Sequence, residues 1–297
     1  MQTRIIVGAL LIAGLLGLAS ADANVSTLRI GDATLGPGVI LTLVSLFVFA
    51  PLLALEFSTI VTPRGDARHP LLHWIAIAGG MVVVLATAGT PPLSNGAPAA
   101  LTAPFVAACI AGILQVASRH NDGFARAGGS VLLGFALIGV PLGFWLLLRR
   151  DTDAWTLAAG ILCVKAADIG AYFTGVAIGR NKMCPWLSPG KTWEGFAGGV
   201  VLSAMVGVAA GFASATDAAA SAGIEAVQPL RAAWIAALLG IAGTLGDLLE
   251  SLLKRGAGMK DSGRLLPGMG GLYDVFDSLL LAGPLAWWLL ACKADFP

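Results

Sequence analysis

The sequence has few charged residues. Asp, Glu, Lys and Arg make up 12% of its 297 residues and hydrophobic residues make up 57%, whereas a soluble domain has about 25% charged residues. The mean hydropathy is +0.84. Long apolar runs with this composition exclude an ordinary soluble domain and indicate a membrane protein. The formal net charge of +1 does not indicate any class of partner, so the positions of the charges carry the information.

Cysteine and histidine are scarce and scattered. None of the four cysteines forms a C-x-x-C pair, and the three histidines lie apart in the first half of the chain. These spacings argue against both a zinc site and a disulfide framework. We therefore expect the cysteines to be reduced and to serve as small apolar side chains.

The sequence also has no internal repeat and no loop long enough for a soluble domain. Nine apolar stretches come near the roughly 20 residues that a helix needs to cross a bilayer. They predict an all-α, polytopic integral membrane protein with about nine transmembrane helices in a single membrane domain, 1–297. We expect residues 1–150 to form the N-terminal helices and residues 151–297 to form the catalytic helices and cytoplasmic loops. The predicted spans are about 5–21, 37–55, 71–89, 100–118, 128–148, 154–178, 194–213, 230–252 and 272–292.

The first apolar stretch has two interpretations. Arg4, the apolar run after it and Ala19-Ser20-Ala21 are compatible with a secretory signal and its cleavage site. We favour a first transmembrane helix. Both interpretations place residue 30 outside, so the orientation of the remaining chain is the same.

Basic residues predict that orientation, because cytoplasmic loops of membrane proteins are enriched in Lys and Arg. With the N-terminus inside, twelve of the eighteen basic residues lie in inside segments, five lie outside, and Lys165 lies within a span. Arg149 and Arg150 are a local exception, and they adjoin Asp151 and Asp153.

Ionisable residues within the apolar segments form three pairs with a spacing of three residues, which places both members on one face of a helix. Such residues are costly in a bilayer and indicate a functional site. The second and third pairs are expected at the same cytoplasmic level, at the end of one helix and the start of the next. The pairs are Lys165 and Asp168, Asp247 and Glu250, and Asp274 and Asp277.

Four carboxylates at one depth repel each other unless a proton or a cation compensates them. A proton or sodium path in a transporter is one explanation, and a Mg²⁺ site is another. The Gly-rich segment between the two acidic pairs contains Lys254, Arg255, Lys260 and Arg264. Positive side chains and free backbone N–H groups bind phosphate. The combination favours phosphoryl or nucleotidyl transfer over simple membrane anchoring by basic residues.

A second cytoplasmic loop contains Ser188, Lys191 and Thr192 just before a predicted helix. Donors at a helix N-terminus form an anion site; the alternative is a simple turn. A P-loop is excluded, because the spaced glycine would fall at Pro185 and we expect no strand before it.

At these residues the sequence resembles the phosphatidate cytidylyltransferase (CDP-diacylglycerol synthase) family. The family signature reads S-x-x-K-R-x4-K-D-x-G-x2-L-P-G-H-G-G-x-x-D-R-x-D. The resemblance covers 155–280 well and includes Gly246-Asp247, the segment 188–195, and Asp168 with the residues after it. Two positions depart, because Met269 replaces the signature His and Val275 replaces the signature Arg. The residues that match in register are Ser251, Lys254, Arg255, Lys260, Asp261, Gly263, Leu266, Pro267, Gly268, Gly270, Gly271, Asp274 and Asp277.

The resemblance implies an enzyme that transfers CMP from CTP to phosphatidate, giving CDP-diacylglycerol and pyrophosphate. It implies Mg²⁺ as cofactor, with a second cation left open. The implied site residues are Asp247, Asp274, Asp277 and Asp168 for metal, Lys254, Arg255, Lys260 and Asp261 for catalysis, and Ser188, Lys191, Thr192 and Ser251 for CTP.

The expected partners are CTP, phosphatidate and the lipid bilayer, without nucleic acid, and a homodimer is left open. The expected location is a bacterial-type inner membrane, crossed several times, with the active site facing the cytoplasm. Three alternatives remain. They are a CTP-dependent lipid kinase or related cytidylyltransferase, an ion-coupled transporter, and an inactive paralogue weakened at Met269 and Val275.

Overall fold

Helices make up most of the computed structural model, which describes residues 2–26, 29–30, 33–34, 36–62, 70–87, 124–268 and 270–291. The predicted span 100–118 and Met269 lie outside these residues. Two pairs of short strands are antiparallel, Arg29–Ile30 with Ala33–Thr34 and Lys182–Cys184 with Ser188–Thr192. The elements are α1 (Gln2–Val25), β1 (Arg29–Ile30), β2 (Ala33–Thr34), α2 (Val39–Val61), α3 (Pro70–Thr87), α4 (124–151), α5 (Ala154–Ile178), β3 (Lys182–Cys184), β4 (Ser188–Thr192), α6 (Trp193–Ser214), α7 (Asp217–Ser221), α8 (Pro229–Gly256) and α9 (Tyr273–Leu290).

Long apolar helices confirm the predicted all-α, polytopic membrane architecture. Five described helices are long and apolar enough to cross a membrane, and α3 contains a shorter apolar helix. The number of about nine spans stays a prediction. The five are Val39–Val61, Gly128–Asp151, Ala154–Ile178, Trp193–Ser214 and Pro229–Gly256.

Two of the helices that extend beyond their predicted bounds bring charged residues of the site into the helix. Helix α2 continues to Val61, so that Glu56 is helical, and α8 continues to Gly256, so that Lys254 lies in its last turn. Charged residues end an apolar run, but Glu, Lys and Arg are good helix formers and do not end a helix. Helix α8 stops where Gly258 adopts φ +68°. Its N–H bonds to Arg255 O at 3.0 Å, and the next N–H bonds to Lys254 O at 2.8 Å, the pattern of a Schellman motif.

Contacts between helices place the helix ends at two levels. At one level, Glu56 near the end of α2 accepts a hydrogen bond from Tyr273 N at the start of α9. At the other, Trp287 near the end of α9 donates to Asp151 at the end of α4. Helix α9 therefore runs from the level where α2 ends to the level where α4 ends, so α2 runs opposite to both α4 and α9, as the basic residues predict for these three helices.

Small residues bring α5, α6 and α8 close together, as expected for membrane helices. A Cβ atom at Gly207 on α6 would lie 2.5 Å from the carbonyl oxygen of Ala232 on α8. Ser203 is fully buried, and its Oγ lies 2.9 Å from Cys163 O and 2.6 Å from Ala236 O. Backbone contact and one shared hydroxyl thus join three helices below the candidate site.

Arg149 is one of the two arginines predicted on the less basic side of the membrane, and its charge is neutralised inside the protein. Its Nε lies 2.7 Å from Asp22 Oδ2, and the two side chains are 5% and 2% exposed. Asp22 also accepts hydrogen bonds from the backbone N–H groups of Gly38 and Ile40 at the start of α2. The arginine is therefore a structural contact between α1, α2 and α4, which explains why it lies on the less basic side.

Candidate active site

Three lysines from separate segments contact the site's carboxylates near the first turns of α9. Each ammonium group neutralises at least one acid, so the cluster of negative charge is partly compensated by the chain itself. The pairs are Lys165 with Asp168 (3.1 Å), Lys191 with Asp247 (2.8 Å), and Lys254 with both Glu250 and Asp274 (2.5 Å each).

The centre of the site is an acidic cluster formed by Asp247, Glu250 and Asp277. One carboxylate oxygen from each residue lies within 4.8 Å of the other two. Glu250 is 2% exposed. Its Oε1 has no hydrogen-bond donor within the described part of the chain. A buried anionic oxygen without a donor is costly, and an all-oxygen set of this size fits a hard divalent cation such as Mg²⁺.

Close packing of α8 against α9 brings these acids together. A Cβ atom at Gly246 would lie 2.5 Å from the carbonyl oxygen of Asp277. The two backbones therefore touch one residue before Asp247, at the height of the carboxylates. The sequence predicted this common level, but it left Glu250 out of the metal ligands.

Asp274, a predicted metal ligand, lies beside the acidic cluster and is bonded to the chain on both oxygens. Its Oδ2 accepts from Ser262 N at 3.0 Å, from Ser262 Oγ at 2.8 Å and from Gly271 N at 2.7 Å. Its Oδ1 contacts Lys254. In this arrangement Asp274 fixes the loop between α8 and α9 and orients Lys254, and its predicted role as a ligand stays a prediction.

Asp168 belongs to a network that joins α5 to α9. Lys165 Nζ donates to Val275 O and to Ser278 Oγ, both at 2.7 Å, as well as contacting Asp168. Ser278 Oγ in turn donates to Asp168 Oδ2 at 2.8 Å. Since Ser278 follows Asp277 in the chain, this network fixes the turn of α9 that carries one acid of the cluster.

The hairpin before α6 brings Lys191 to the site. Its Nζ donates to Thr244 O at 3.2 Å in addition to its contact with Asp247. Ser188 begins β4 and is half-buried. Thr192 is buried, and its Oγ1 accepts from Gly195 N at 3.1 Å. That contact is an N-cap, so Thr192 already has a structural role at the start of α6.

The expectation that no strand precedes Gly190-Lys191-Thr192 was wrong. These residues lie within β4, which pairs with β3. Glu194 stabilises the hairpin, because its carboxylate accepts from the backbone N–H groups of Arg180 and Asn181. In a P-loop, the glycine-rich segment is a loop between a strand and a helix. Here Gly190-Lys191-Thr192 belong to β4 itself, so the exclusion of a P-loop stands.

The other predicted residues lie in the last turns of α8 and in the loop that follows it. Ser251 Oγ lies 3.4 Å from Asp247 Oδ1. Arg255 Nε donates to Leu187 O at 3.4 Å, which links the end of α8 to the hairpin. Lys260 and Asp261 are exposed in the loop after α8. The structure thus gathers most predicted residues at one end of the bundle and leaves these two at its surface.

Glu56, on a helix far from the acids in sequence, was also missed from the sequence. Glu56 accepts from Leu272 N at 2.9 Å and from Tyr273 N at 2.7 Å, and its Oε2 lies 3.2 Å from Ser262 Oγ. The available signal was that Glu56 is the one charged residue in the sequence between 39 and 61. Because the predicted span ended at residue 55, Glu56 was assigned to the loop after the helix and was not considered as an ionisable residue within a span.

Comparisons with known proteins point in one direction. A model described as the cytidylyltransferase family matches residues 26–293. A phosphatidate cytidylyltransferase of Mycobacterium bovis is 33% identical over 285 residues, covering 86% of this chain and 86% of that protein. One from Mycobacterium tuberculosis is 33% identical over 285 residues, covering 86% and 80%. One from Bacillus subtilis is 37% identical over 165 residues, covering 55% and 58%.

Proposed function

Because the chain belongs to the cytidylyltransferase family, we propose that it transfers CMP from CTP to phosphatidate, giving CDP-diacylglycerol and pyrophosphate. The observation that carries this proposal is the acidic cluster of Asp247, Glu250 and Asp277, flanked by lysines at one end of a bundle of membrane-length helices. The same proposal makes the chain an enzyme of phospholipid synthesis.

A divalent cation, which we assign as Mg²⁺, would be held by Asp247, Glu250 and Asp277. Their oxygen ligands suit this ion, and the buried Oε1 of Glu250 lacks a donor among the described residues. When bound, the cation neutralises negative charge on the phosphates of CTP. Asp274 and Asp168 adjoin this set, each beside its own lysine.

The reaction needs alignment and neutralisation of charge rather than a covalent step on the protein. A phosphate oxygen of phosphatidate attacks the α-phosphorus of CTP. The bond from that phosphorus to the bridging oxygen breaks, and pyrophosphate leaves with the electron pair. Basic side chains of β4, α8 and the loop after α8 bind the phosphates, and serine hydroxyls donate to them. We assign Lys191, Lys254, Arg255 and Lys260 to the first role, and Ser188 and Ser251 to the second.

The orientation of the bundle suits both substrates. We place the level of the acidic cluster at the cytoplasmic face of a bacterial inner membrane, because the surrounding segments are rich in Lys and Arg. CTP then reaches the site from the cytosol. Phosphatidate presents its phosphate at the height of the headgroups while its acyl chains stay in the bilayer.

The reaction is tested by the position of the label in CTP. Purified protein is incubated with phosphatidate, with a polyprenol, or with neither, and with CTP labelled at the α- or the γ-phosphorus. We expect α-label in lipid and γ-label in pyrophosphate, with phosphatidate alone as acceptor. Transfer of γ-label to a lipid alcohol with release of CDP would show a lipid kinase and reject the proposal.

A further inference from the structure

We propose that Glu56 is a positioning residue for this transfer, although it lies in α2, far from the acidic residues in sequence. Through Ser262 and Leu272 it holds the described part of the loop between α8 and α9 in the conformation that sets Asp274 and Lys254 beside the acidic cluster. The inference rests on the proposed function for its kinetic consequence, but its structural consequence can be measured without turnover.

Glu56 supplies the cap that α9 lacks locally. The residue before the helix is Leu272, whose apolar side chain cannot accept a hydrogen bond. The first N–H groups of a helix need acceptors. Glu56 Oε1 accepts from Leu272 N at 2.9 Å, and Oε2 accepts from Tyr273 N at 2.7 Å. A carboxylate at the positive end of a helix gives strong, charge-assisted bonds.

A single hydroxyl connects Glu56 to Asp274. Ser262 is 2% exposed. Its Oγ lies 3.2 Å from Glu56 Oε2 and 2.8 Å from Asp274 Oδ2. Asp274 contacts Lys254, and Lys254 contacts Glu250 of the acidic cluster. An unbroken series of contacts therefore runs from α2 to the proposed metal ligands.

Glycines in the loop make room for these carboxylates. A Cβ atom at Gly263 would lie 2.6 Å from Glu56 Oε1, and a Cβ atom at Gly271 would overlap Glu56 Oε2. One at Gly270, whose φ is +97°, would meet Asp274 Oδ2. The path of the loop thus leaves space for a side chain that lies 206 positions before Ser262 in the chain.

Other contacts hold α2 against α9, so the fold does not depend on Glu56 alone. The rings of Phe57 and Tyr273 lie 6.1 Å apart, and those of Phe49 and Phe276 lie 5.3 Å apart. Both pairs are aromatic contacts of the kind that stabilise a core. A variant at Glu56 is therefore expected to keep the helices packed while it releases the loop.

The first test is Glu56→Gln in the full-length purified protein. Glutamine has nearly the same shape, but its NH₂ group would face a backbone N–H donor. We expect kcat to fall about tenfold, the scale set by loss of a charge-assisted hydrogen bond. We also expect the Mg²⁺ concentration for half-maximal activity to rise severalfold. Unchanged values of both would overturn the proposal.

The second test needs no turnover. Trypsin cleaves after Lys260 and Arg264, which are exposed in the loop. We expect Glu56→Gln to accelerate this cleavage severalfold. An unchanged rate of loop cleavage would overturn the proposal even if the wild type showed no CTP turnover, whereas such inactivity alone would reject only the proposed function.

Asp22→Asn is the matched control, because Asp22 caps the other end of α2 through Gly38 N and Ile40 N. It is expected to lower thermal stability and to leave Mg²⁺ dependence and loop cleavage unchanged. If it reproduced the kinetic changes of Glu56→Gln, general loss of stability would explain both variants and the proposal would fall.

A double-mutant cycle with Ser262→Ala tests the route of the effect. If Glu56 acts through Ser262 and Asp274, the double variant should lose no more activity than the more damaged single variant. Losses that simply multiply would contradict a common route.

Discussion

Glu250 is the residue on which the metal assignment depends most directly. Asp247 already contacts Lys191, and Asp277 Oδ1 accepts from Ser278 N. Glu250 is the most buried of the three, and within the described residues its Oε1 has no donor. A cation in the acidic cluster would satisfy this oxygen, so the affinity for the cation should depend strongly on its charge.

Glu250→Gln removes that charge with little change of shape. We expect the Mg²⁺ concentration for half-maximal CMP transfer to rise about tenfold, because one anionic ligand is lost. The measurement is a titration of activity with Mg²⁺. Asp217→Asn, an exposed acid at the start of α7, is the control and should leave the titration unchanged. An unaltered Mg²⁺ requirement in Glu250→Gln would remove this residue from the site.

At the scale of the element, the contact between α8 and α9 sets the distance between the acids. Gly246 allows the two backbones to touch beside Asp277. A larger residue there must push the helices apart by part of a side-chain diameter, and overpacking of this kind costs about 1–3 kcal/mol.

Gly246→Ala should therefore damage both stability and catalysis. We expect thermal stability to fall and CMP transfer to drop at least about tenfold, since misplacement by about 1 Å can cost a hundredfold in rate. Gly256→Ala is the matched control, because a Cβ atom there meets no described atom within 4 Å. Equal activity of the two variants would show that the contact at Gly246 does not determine the distance between the acids of the site.

The helices could be predicted from the sequence because each is a local apolar run. The bounds of α5 are as predicted, and those of α6 differ by one residue at each end. Non-local contacts could not be predicted in the same way. Nothing near Glu56 in sequence indicates that its partners are backbone amides at 272 and 273. The hairpin of β3 and β4 was missed for a similar reason, since it depends on Glu194 bonding back to Arg180 and Asn181.

For the whole molecule, the two levels at which the helices end differ in chemistry. One end carries the acidic cluster and its lysines, and the other carries the buried pair of Asp22 and Arg149. The predicted site residues near the acids could be chosen from the sequence, because adjacent helices α8 and α9 bring their ends together. The contribution of α2, which is Glu56, could not be chosen from the sequence, because the sequence does not show which distant helix packs beside α9.

The orientation of these two ends can be measured by labelling. Single cysteines replace Lys260, at the level of the acidic cluster, or Asp217, at the opposite level, in a variant whose four native cysteines are changed to alanine. In intact cells, a membrane-impermeant maleimide should label the cysteine at position 217. It should label the cysteine at position 260 only after the cells are permeabilised. The reverse pattern would contradict a cytoplasmic site.

The central claim is that the acidic cluster transfers CMP to phosphatidate, and Asp277→Ala tests it most directly. Transfer of α-labelled CMP to phosphatidate is measured over a range of Mg²⁺ for this variant, for the wild type, and for Asp153→Ala, which alters the N-cap of α5 at the opposite level. We predict Mg²⁺-dependent transfer by the wild type and the control, and a loss of at least about a hundredfold in Asp277→Ala. Transfer by Asp277→Ala at the wild-type rate, with the same Mg²⁺ dependence, would contradict the account.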